Sequence, residues 1–482
     1  MELVRRGIGE AATGAGSSGP SVAGPVAAAA SVAGPSRTNE DSVARSGTLL
    51  GLPSSRHCPQ RNNCVPIFAL PSRPRCPKTR GVCEARAVQS RRRASAAPGR
   101  GGERVVRNRD VLISGASVAG LALAHWLRRA GFHPTVVERA PGLRRGGQAI
   151  DVRGIALQVV ARMGLLDAVR AGTTGMRGMS FVDGGGAELT RSTEATLTGG
   201  LIDNDDVEIM RDDLTTLLFD AGRVGTEYVF GDVITSLRQD DDAVEVGFRH
   251  GRPRRFDLVI GADGLHSGVR RLAFGPESQF MHFLGSHLAI FSVENFLGLD
   301  RWQVYHTAGD TLVGLYSARQ NTEARAMLHF GSGQLDFDHR DLDRQRNILV
   351  ERFAGVGWVA PRLLASMWDA PDFYFDSMSQ VRLDRWSNGR VVLVGDAGYC
   401  PSPRSGQGTS MALVGAYVLV RELADNHDDH RAAFARYEQG MRGYVGKNQQ
   451  IAQDKADGRT VTPAGLARAA DAITLGDLPD HG

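Results

Sequence analysis

The sequence predicts a mixed α/β fold in which a parallel sheet is interleaved with a second, mostly antiparallel sheet and followed by a C-terminal helix. Residues 110–138 have the pattern of a strand, a tight turn, a helix and a second strand. Two later apolar strands, within 256–264 and 390–395, each end in a glycine-containing turn. Between them, short strands follow one another without intervening helices, which indicates a sheet distinct from the parallel one.

The segment 110–138 contains a variant of the G-x-G-x-x-G pattern of Rossmann-like dinucleotide-binding folds. Gly115 permits the tight turn, Ser117 replaces the second glycine, and Gly120 lets the helix lie close to the sheet. Glu138 ends the second strand, where a carboxylate would accept a hydrogen bond from a ribose hydroxyl. A helix N-terminus here would offer N–H groups to a pyrophosphate. The alternative interpretation is an ordinary βαβ turn that binds no ligand.

The other elements are predicted from apolar periodicity and from turn residues. A hairpin is expected around the Gly-rich turn at 184–186, and the residues after 453 are expected to trail over the surface. The predicted helices are 155–163, 165–171, 215–221, 266–272, 341–353, 408–423 and 431–453, and the predicted strands are 149–153, 181–182, 207–210, 228–230, 234–237, 244–248, 288–293, 302–306, 312–316, 326–330, 373–375 and 381–383.

Charge is unevenly distributed along the chain. Residues 1–104 contain 16 Lys and Arg against 6 Asp and Glu, whereas the remainder contains 41 against 47. The slightly acidic remainder argues against a nucleic-acid partner. No apolar run reaches the roughly 18 residues that span a bilayer, so no membrane partner is expected.

Residues 1–104 are rich in Gly, Ala, Ser, Pro and Arg and lack periodicity, so we predict a disordered, low-complexity tail. A transit peptide and an upstream extension from a wrongly chosen start codon are the alternatives. No metal site is expected, because the tail cysteines lack the paired C-x2-C spacing of zinc ligands. The body has the single cysteine Cys400, which suits a cytoplasmic protein.

Three separated motifs, GASVAG at 115–120, GADGLHSGVR at 261–270 and VLVGDAGYCPSPRSGQG at 392–408, occur in this order. Together they resemble the FAD-dependent aromatic hydroxylases of the p-hydroxybenzoate hydroxylase fold, nearest the tetracycline-destructase-like branch, over about residues 108–455. The resemblance implies FAD-binding parts at 105–180, 206–275 and 386–425, substrate-domain parts at 181–205 and 276–385, and a C-terminal helical region at 426–482.

The resemblance also implies a non-covalently bound FAD. Asp396 would hold the ribityl hydroxyls, and the helix after Pro403 would direct its N-terminus at the flavin. Asp263 would lie near the pyrophosphate, and the fork of Arg211 suits a phosphate or a flavin carbonyl. The residues expected to bind the cofactor are Gly115, Ser117, Gly120, Glu138, Arg139, Arg211, Asp263, Gly264, Gly395, Asp396, Pro403, Gly406, Gln407 and Gly408.

The implied activity is a single-component monooxygenation of an aromatic, phenolic or polyketide-like molecule with NAD(P)H and O2. The flavin carries this chemistry, so no catalytic side chain is named. The protein would be a monomer or a homodimer. The predicted substrate wall consists of Phe283, Phe291, Tyr305, Tyr316, Phe375 and Met378.

Two departures from the family pattern keep other functions open. Tyr399 stands where many relatives have histidine, and Arg404 stands where a bulky apolar residue facing the flavin is expected. The alternatives are another FAD oxidoreductase, halogenase-like or reductase-like, or an FAD-binding protein that has lost catalysis. None of the five tryptophans belongs to the W-x-W-x-I-P element of flavin halogenases.

Overall fold

A computed structural model describes residues 109–426 and 429–479 of the chain. The predicted tail at 1–104, with its four cysteines, lies outside the described residues. Within them, the mixed α/β fold is confirmed: one large parallel sheet and one large, mostly antiparallel sheet are present together with helices.

The first large sheet has six strands in the order β19-β20-β13-β1-β2-β9. Neighbouring strands are parallel except for the short edge strand β19. Buried β1 is apolar from Val111 to Ile113, because a parallel strand covered on both faces has no polar side. The strands are β1 (Asp110–Ser114), β2 (His133–Glu138), β9 (Glu227–Phe230), β13 (Leu258–Gly261), β19 (Ser387–Asn388) and β20 (Val391–Leu393).

Helix α1 (Val118–Arg129) packs on this sheet, and α4 (Arg211–Gly222) and α9 (Gly408–Asp425) pack against α1. The ring of Trp126 on α1 contacts the ring of Tyr417 on α9 edge-on, with 5.0 Å between their centroids. Helix α9 is buried along almost its whole length, which explains why its sequence is apolar on all sides.

The second large sheet has seven strands in the order β18-β14-β17-β16-β15-β4-β5, antiparallel except for the β4–β15 pair. Its outer face is covered by α6 (Leu342–Arg352) and α7 (Ala360–Ser366), and the latter helix was not predicted. Its inner face meets the C-terminal part of α10 (His430–Ala456). The strands are β4 (Met179–Val182), β5 (Glu188–Ser192), β14 (Met281–Val293), β15 (Gln303–Ala308), β16 (Thr311–Ala318), β17 (Glu323–Gly331) and β18 (Tyr374–Val381).

Smaller elements connect the two sheets. The antiparallel pair β3 (Ala149–Val152) and β8 (Val207–Met210) and the three strands β10 (Ile234–Gln239), β11 (Val244–Phe248) and β12 (Arg254–Phe256) are separate sheets. The remaining elements are α2 (Ile155–Arg162), α3 (Leu166–Ala171), β6 (Ala195–Thr196), β7 (Gly200–Leu201), α5 (Gly268–Ala273), α8 (Asp396–Tyr399), α11 (Pro463–Ala470) and the 3-10 turns Glu277–Gln279 and Pro403–Ser405.

The C-terminal region is more ordered than predicted. Residues after 453 do not merely trail over the surface: α11 buries Ala469 and Ala470, and the Asn448 side chain donates to the Ala469 carbonyl at 3.1 Å. Of the helices in the described residues, none has both the length and the apolar character needed to cross a membrane.

Candidate active site

The turn after β1 has room only for glycine. Gly115 has φ +105°, and a Cβ there would lie 2.5 Å from the Ala262 carbonyl oxygen on the neighbouring strand. A Cβ on Gly120 would collide with the Gly115 carbonyl oxygen, so α1 begins directly against the turn. These two contacts bring the start of α1 to the carboxyl ends of β1 and β13.

Ser117 is the N-cap of α1, with an extended backbone and no side-chain capping hydrogen bond. The first turn of a helix leaves N–H groups without partners inside the helix, and these groups carry partial positive charge. This turn can therefore accept a phosphate, as the glycine pattern predicts.

Glu138 fixes the turn through both of its carboxylate oxygens. One accepts from the Ala116 N–H at 2.8 Å and the other from the Ala140 N–H at 2.9 Å. The predicted contact with a ribose hydroxyl would use the remaining lone pairs of this carboxylate. The neighbouring Arg139 is exposed.

Asp263, in the second motif, ties two elements of the site together. Its carboxylate accepts from the Ser114 hydroxyl at 3.2 Å and from the Gly268 N–H at 2.9 Å, and it also accepts from the Ser267 hydroxyl. Burial raises the pKa of Asp263, and these hydrogen bonds oppose that rise. The structure therefore gives Asp263 a positioning role at the start of α5. Gly264 follows with φ +84°, a conformation that favours glycine.

The third motif reaches the first two at the same sheet edge. Gly395 has φ +66°, and a Cβ there would lie 3.2 Å from Cβ of Ala119 on α1. Asp396 follows, and a Cβ on Gly408 would lie 3.8 Å from its Oδ1. The half-buried Asp396 carboxylate thus lies beside the N-terminus of α9, and burial raises its pKa.

Gln407 supplies a test of whether this edge fits a ligand. Its side chain is 1% exposed, and neither its Nε2 nor its Oε1 has a hydrogen-bond partner within the described residues. Leaving a buried amide unpaired costs free energy, so a bound polar group is expected to pair with it. The turn before Gln407 contains exposed Pro403 and Gly406, whose φ is +69°.

Arg211 begins α4 and is half-buried. Its Nη2 donates to the Gly146 carbonyl at 2.8 Å, and a Cβ on Gly147 would lie 2.5 Å from its Nε. Burial and the nearby Arg144 lower the pKa of Arg211 to about 10, which leaves it charged at neutral pH. Glu138 acts electrostatically in the opposite direction, so the arginine belongs to the same edge as the first motif.

The predicted substrate wall is divided between the two faces of the seven-stranded sheet. Phe291 and Phe375 belong to the outer core under α6 and α7, so their assignment to a wall facing the flavin is corrected. The ring of Phe283 lies 5.1 Å from that of His287, whose ring in turn stacks on Phe375. Phe283 therefore also lies on the outer side, opposite to its neighbour Leu284, which belongs to the inner cluster.

Tyr305 and Met378 belong to the inner cluster, which faces α10. The hydroxyl of Tyr316 accepts from the Ala149 N–H at 3.2 Å, so this tyrosine faces β3. These three predicted wall residues are therefore on the side where the cofactor loops lie, whereas the three phenylalanines are not.

Polar residues also lie on this inner side, and of these only Arg404 was singled out from the sequence. The Arg404 guanidinium donates to the Ser286 hydroxyl on β14 at 2.6 Å, and the Lys455 ammonium on α10 donates to the Arg404 carbonyl at 2.9 Å. Asp151 and Arg153 form a buried ion pair at 3.0 Å, next to the Gly406 turn. The segment GQAIDVR at 147–153 also resembles the tetracycline-destructase-like branch, and this is the sequence signal that could have found the pair.

The ring of His266 lies between two carboxylates, those of Glu277 and Asp376. Its ring nitrogens lie 2.9 Å from the Glu277 carboxylate and 3.0 Å from that of Asp376. Burial opposes the charged form, but these carboxylates outweigh it and raise the pKa of His266 to about 9. His266, Glu277 and His339 could present ligand atoms within 4.8 Å of one another, yet the proton on His266 opposes a bound cation.

Tyr399 lies away from the inner face, in the core beneath the third motif. Its hydroxyl accepts from the Tyr437 hydroxyl at 3.0 Å, and its ring lies 4.7 Å from that of Trp386. Gly415 on α9 leaves the space that the hydroxyl occupies. The residue at this position thus fills the core, and its departure from the family pattern does not alter the polar groups of the site.

A parallel nucleotide-binding sheet whose three strand-end motifs meet beside an antiparallel sheet defines the class of flavin-dependent oxidoreductases. The profile of the FAD binding domain family matches residues 108–440. The chain belongs to this family of FAD-dependent monooxygenases, which confirms the resemblance found in the sequence.

Known proteins support this membership. The chain is 54% identical to an uncharacterized protein of Mycobacterium tuberculosis over 370 residues, covering 77% of this chain and 100% of that one. It is 40% identical to a flavin-dependent monooxygenase of Legionella longbeachae, covering 72% of this chain and 88% of that one. The structure is similar to tetracycline destructase Tet(55), with a TM-score of 0.68, 39% identity and coverage of 78% and 99%.

A solved structure with bound FAD also resembles this one. HpxO of Klebsiella pneumoniae, complexed with FAD and uric acid, matches with a TM-score of 0.56 and 25% identity over 77% of this chain and 94% of that one. FAD binding is therefore supported by the family, by this neighbour and by the fit of the strand-end residues.

Proposed function

We propose that the protein is a single-component FAD-dependent monooxygenase that hydroxylates an aromatic, phenolic or polyketide-like molecule with NAD(P)H and O2. The observation that carries the proposal is the contact between the cofactor loop and the inner face of the seven-stranded sheet. Arg404 reaches Ser286 on β14, and the Ser402 hydroxyl lies 3.9 Å from the sulfur of Met378 on β18. A substrate lying on this face would therefore adjoin the loop that opens α9.

The relatives favour such a substrate. One is a tetracycline destructase, and another binds uric acid beside FAD. Both ligands are polycyclic and rich in oxygen, and the inner face combines apolar groups such as Leu288 and Ile290 with buried polar ones such as Tyr305. Ligand sites commonly have this mixture of an apolar lining and a few placed polar groups.

The residues of the chain bind, orient and exclude water. The first turn of α1 would hold the pyrophosphate, Asp396 the ribityl hydroxyls, and Gln407 with the N-terminus of α9 a polar edge of the flavin ring. FAD, when bound, supplies hydride acceptance and the activation of dioxygen. The chain has a single dinucleotide motif, at 115–120, so NAD(P)H would dock transiently without a second Rossmann domain.

Oxygen-dependent NAD(P)H oxidation tests the proposed activity. The full chain, loaded with FAD, would be assayed with NADH and with NADPH against a panel of phenols and polycyclic polyketides. We expect a substrate to stimulate NAD(P)H oxidation and to gain one oxygen atom by mass spectrometry. Halogenated or only reduced products would instead indicate the halogenase-like or reductase-like alternative. A yellow protein without turnover would indicate loss of catalysis.

The site assignment is tested by Asp396→Ala. We expect FAD affinity to fall at least about tenfold, the equivalent of about 1.4 kcal/mol, because the ribityl hydroxyls lose a charged acceptor. FAD affinity would be measured by fluorescence titration of the apoprotein. The matched control is Asp242→Ala, in the exposed turn between β10 and β11. Unchanged FAD affinity in a folded Asp396→Ala variant would contradict the assignment.

A further inference from the structure

Two half-buried cationic residues, Arg404 and Lys455, are in contact on the inner side of the site. Lys455 donates to the main-chain carbonyl of Arg404 at 2.9 Å, and Arg404 donates through Nη2 to Ser286. Neither cation forms an ion pair with a carboxylate of the described residues, and neither is exposed.

The three buried arginines of the described residues are neutralised. Arg153 pairs with Asp151 at 3.0 Å, Arg270 with Glu277 at 3.1 Å, and Arg325 with Glu323 at 2.9 Å. Such pairing is expected, because a charge removed from water without a counter-ion is costly. Arg404 differs from these three in its side-chain partner, which is the neutral hydroxyl of Ser286 and not a carboxylate.

Arg404 also lowers the pKa values of two neighbouring groups, after the larger effect of burial. Burial and then Arg153 lower the pKa of Lys455 to about 8, and Arg404 contributes further to this lowering. Burial and then Arg404 lower the pKa of His329 to about 4. Asp151, the carboxylate that acts on Lys455, is already paired with Arg153, and burial raises its pKa to about 7. Arg404 therefore has no carboxylate partner within the described residues to balance its charge.

The direction of Arg404 indicates where a ligand would lie. Ser286 is on the inner side of β14, because Leu288, two residues on, belongs to the inner cluster. Leu288 lies opposite His329 in the strand register, and His329 lies opposite Leu312 on the next strand. The guanidinium thus faces the sheet surface proposed for the substrate.

We propose that Arg404, with Lys455 beside it, forms an anion-binding subsite that selects substrates carrying a carboxylate, phenolate or enolate. The proposal rests on the proposed function, because it assigns the anion to the substrate of the flavin site. Arg404 is a specificity residue here: its guanidinium can offer a bidentate pair of donors to a planar oxyanion, and Lys455 adds a point charge. The sequence replaces a bulky apolar residue with this arginine, which fits a change of substrate class.

The test uses two probes of the same shape and different charge, benzoate and benzamide. Their dissociation constants for the FAD-loaded full chain would be measured by flavin difference spectra and by calorimetry. We expect benzoate to bind at least about tenfold more tightly than benzamide. We expect Arg404→Met to remove this preference by weakening benzoate alone, while the affinity of the apoprotein for FAD stays within about twofold.

The matched control is Arg436→Met, which removes an exposed arginine on α10 and should leave both affinities unchanged. Arg404→Lys should keep part of the preference, because it keeps the charge without the planar fork. Equal binding of the two probes, no binding of benzoate, or an unchanged preference in Arg404→Met would overturn the proposal. A chain that stays colourless with excess FAD would overturn the proposed function instead, so the two failures are distinguishable.

Discussion

The two large sheets present their functional groups in different ways. The parallel sheet places them at the carboxyl ends of adjacent strands β1, β13 and β20, in short stretches of consecutive residues. The antiparallel sheet places them on one face, at alternating positions of strands such as β14 and β17. The residues of a strand-end site are therefore consecutive in the sequence, whereas those of a sheet-face site come from several strands.

The difference extends to energetics. At the strand ends, carboxylates such as Asp263 and Glu138 hold loops and helix starts through several hydrogen bonds. On the inner face, by contrast, Arg404 retains a buried Nε without a hydrogen-bond partner in the described residues. Substitutions at the first kind of position should damage the fold and the cofactor site together, and substitutions on the inner face should mainly change ligand affinity.

The largest expected effect is on the outer face of the antiparallel sheet. Phe330→Ala should lower the free energy of unfolding by about 3–5 kcal/mol, because it opens a cavity among fully buried aromatic rings. Urea denaturation measures the change. Leu342→Ala, at a 44% exposed position on α6, is the control and should change stability by less than about 0.5 kcal/mol. Equal effects would contradict the assignment of Phe330 to the core.

At the strand-end edge, Gly120→Ala should lower the free energy of unfolding by about 1–3 kcal/mol and weaken FAD binding, because its methyl group would collide with the Gly115 carbonyl. Gly443→Ala provides a matched helical control, since nothing lies within 4 Å of a Cβ there. It should stabilise the protein by up to about 1 kcal/mol. Denaturation measures the stability of both variants, and FAD titration measures their cofactor affinity. A Gly120→Ala variant more stable than the wild type would contradict the close approach of Gly120 to the Gly115 carbonyl.

The His266 contact between the two sheets should make stability depend on pH. The pKa of His266 is raised to about 9 in the folded state, above its ordinary 6.5. The contribution of protonated His266 to the free energy of unfolding is on the order of 2 kcal/mol. It is fully present below about pH 6.5 and is lost as pH rises through about 9. Unfolding free energies of the wild type and His266→Gln at pH 6.5 and 9.5 should converge at the higher pH. A constant difference would refute the charged pair.

The smallest effect concerns the core under the third motif. Tyr399→Phe removes a hydroxyl that is bonded to Tyr437, and it should lower the free energy of unfolding by about 1 kcal/mol without changing FAD affinity. Thermal unfolding and FAD titration would measure the two quantities. A large loss of FAD affinity would show that Tyr399 acts in the site rather than in the core.

Local sequence patterns were sufficient for the parallel sheet and for its three strand-end motifs. Gly115 and Gly120 are required by backbone geometry, and such requirements are visible in consecutive residues. The same holds for the βαβ order that leads from β1 through α1 to β2. The predicted role of Asp396 also follows from its place directly after a buried strand.

The faces of the antiparallel sheet were not predictable in the same way. Strand β14 is buried almost continuously from Ser286 to Phe291, because helices cover it on both sides, so its sequence shows no alternation of polar and apolar residues. A bulge at 283–287 shifts the register further. Aromatic type alone therefore could not separate Tyr305, on the inner face, from Phe291 and Phe375, on the outer one.

By itself the sequence determined the fold class and, through its resemblance to a known family, the cofactor and the strand ends that carry the site, because each strand-end motif is a run of consecutive residues. Only the tertiary structure decided that Arg404 contacts Ser286 and that Lys455 joins it, since these residues come from three distant segments. The orientation of a side chain toward a surface more than a hundred residues away depends on packing that no local pattern encodes.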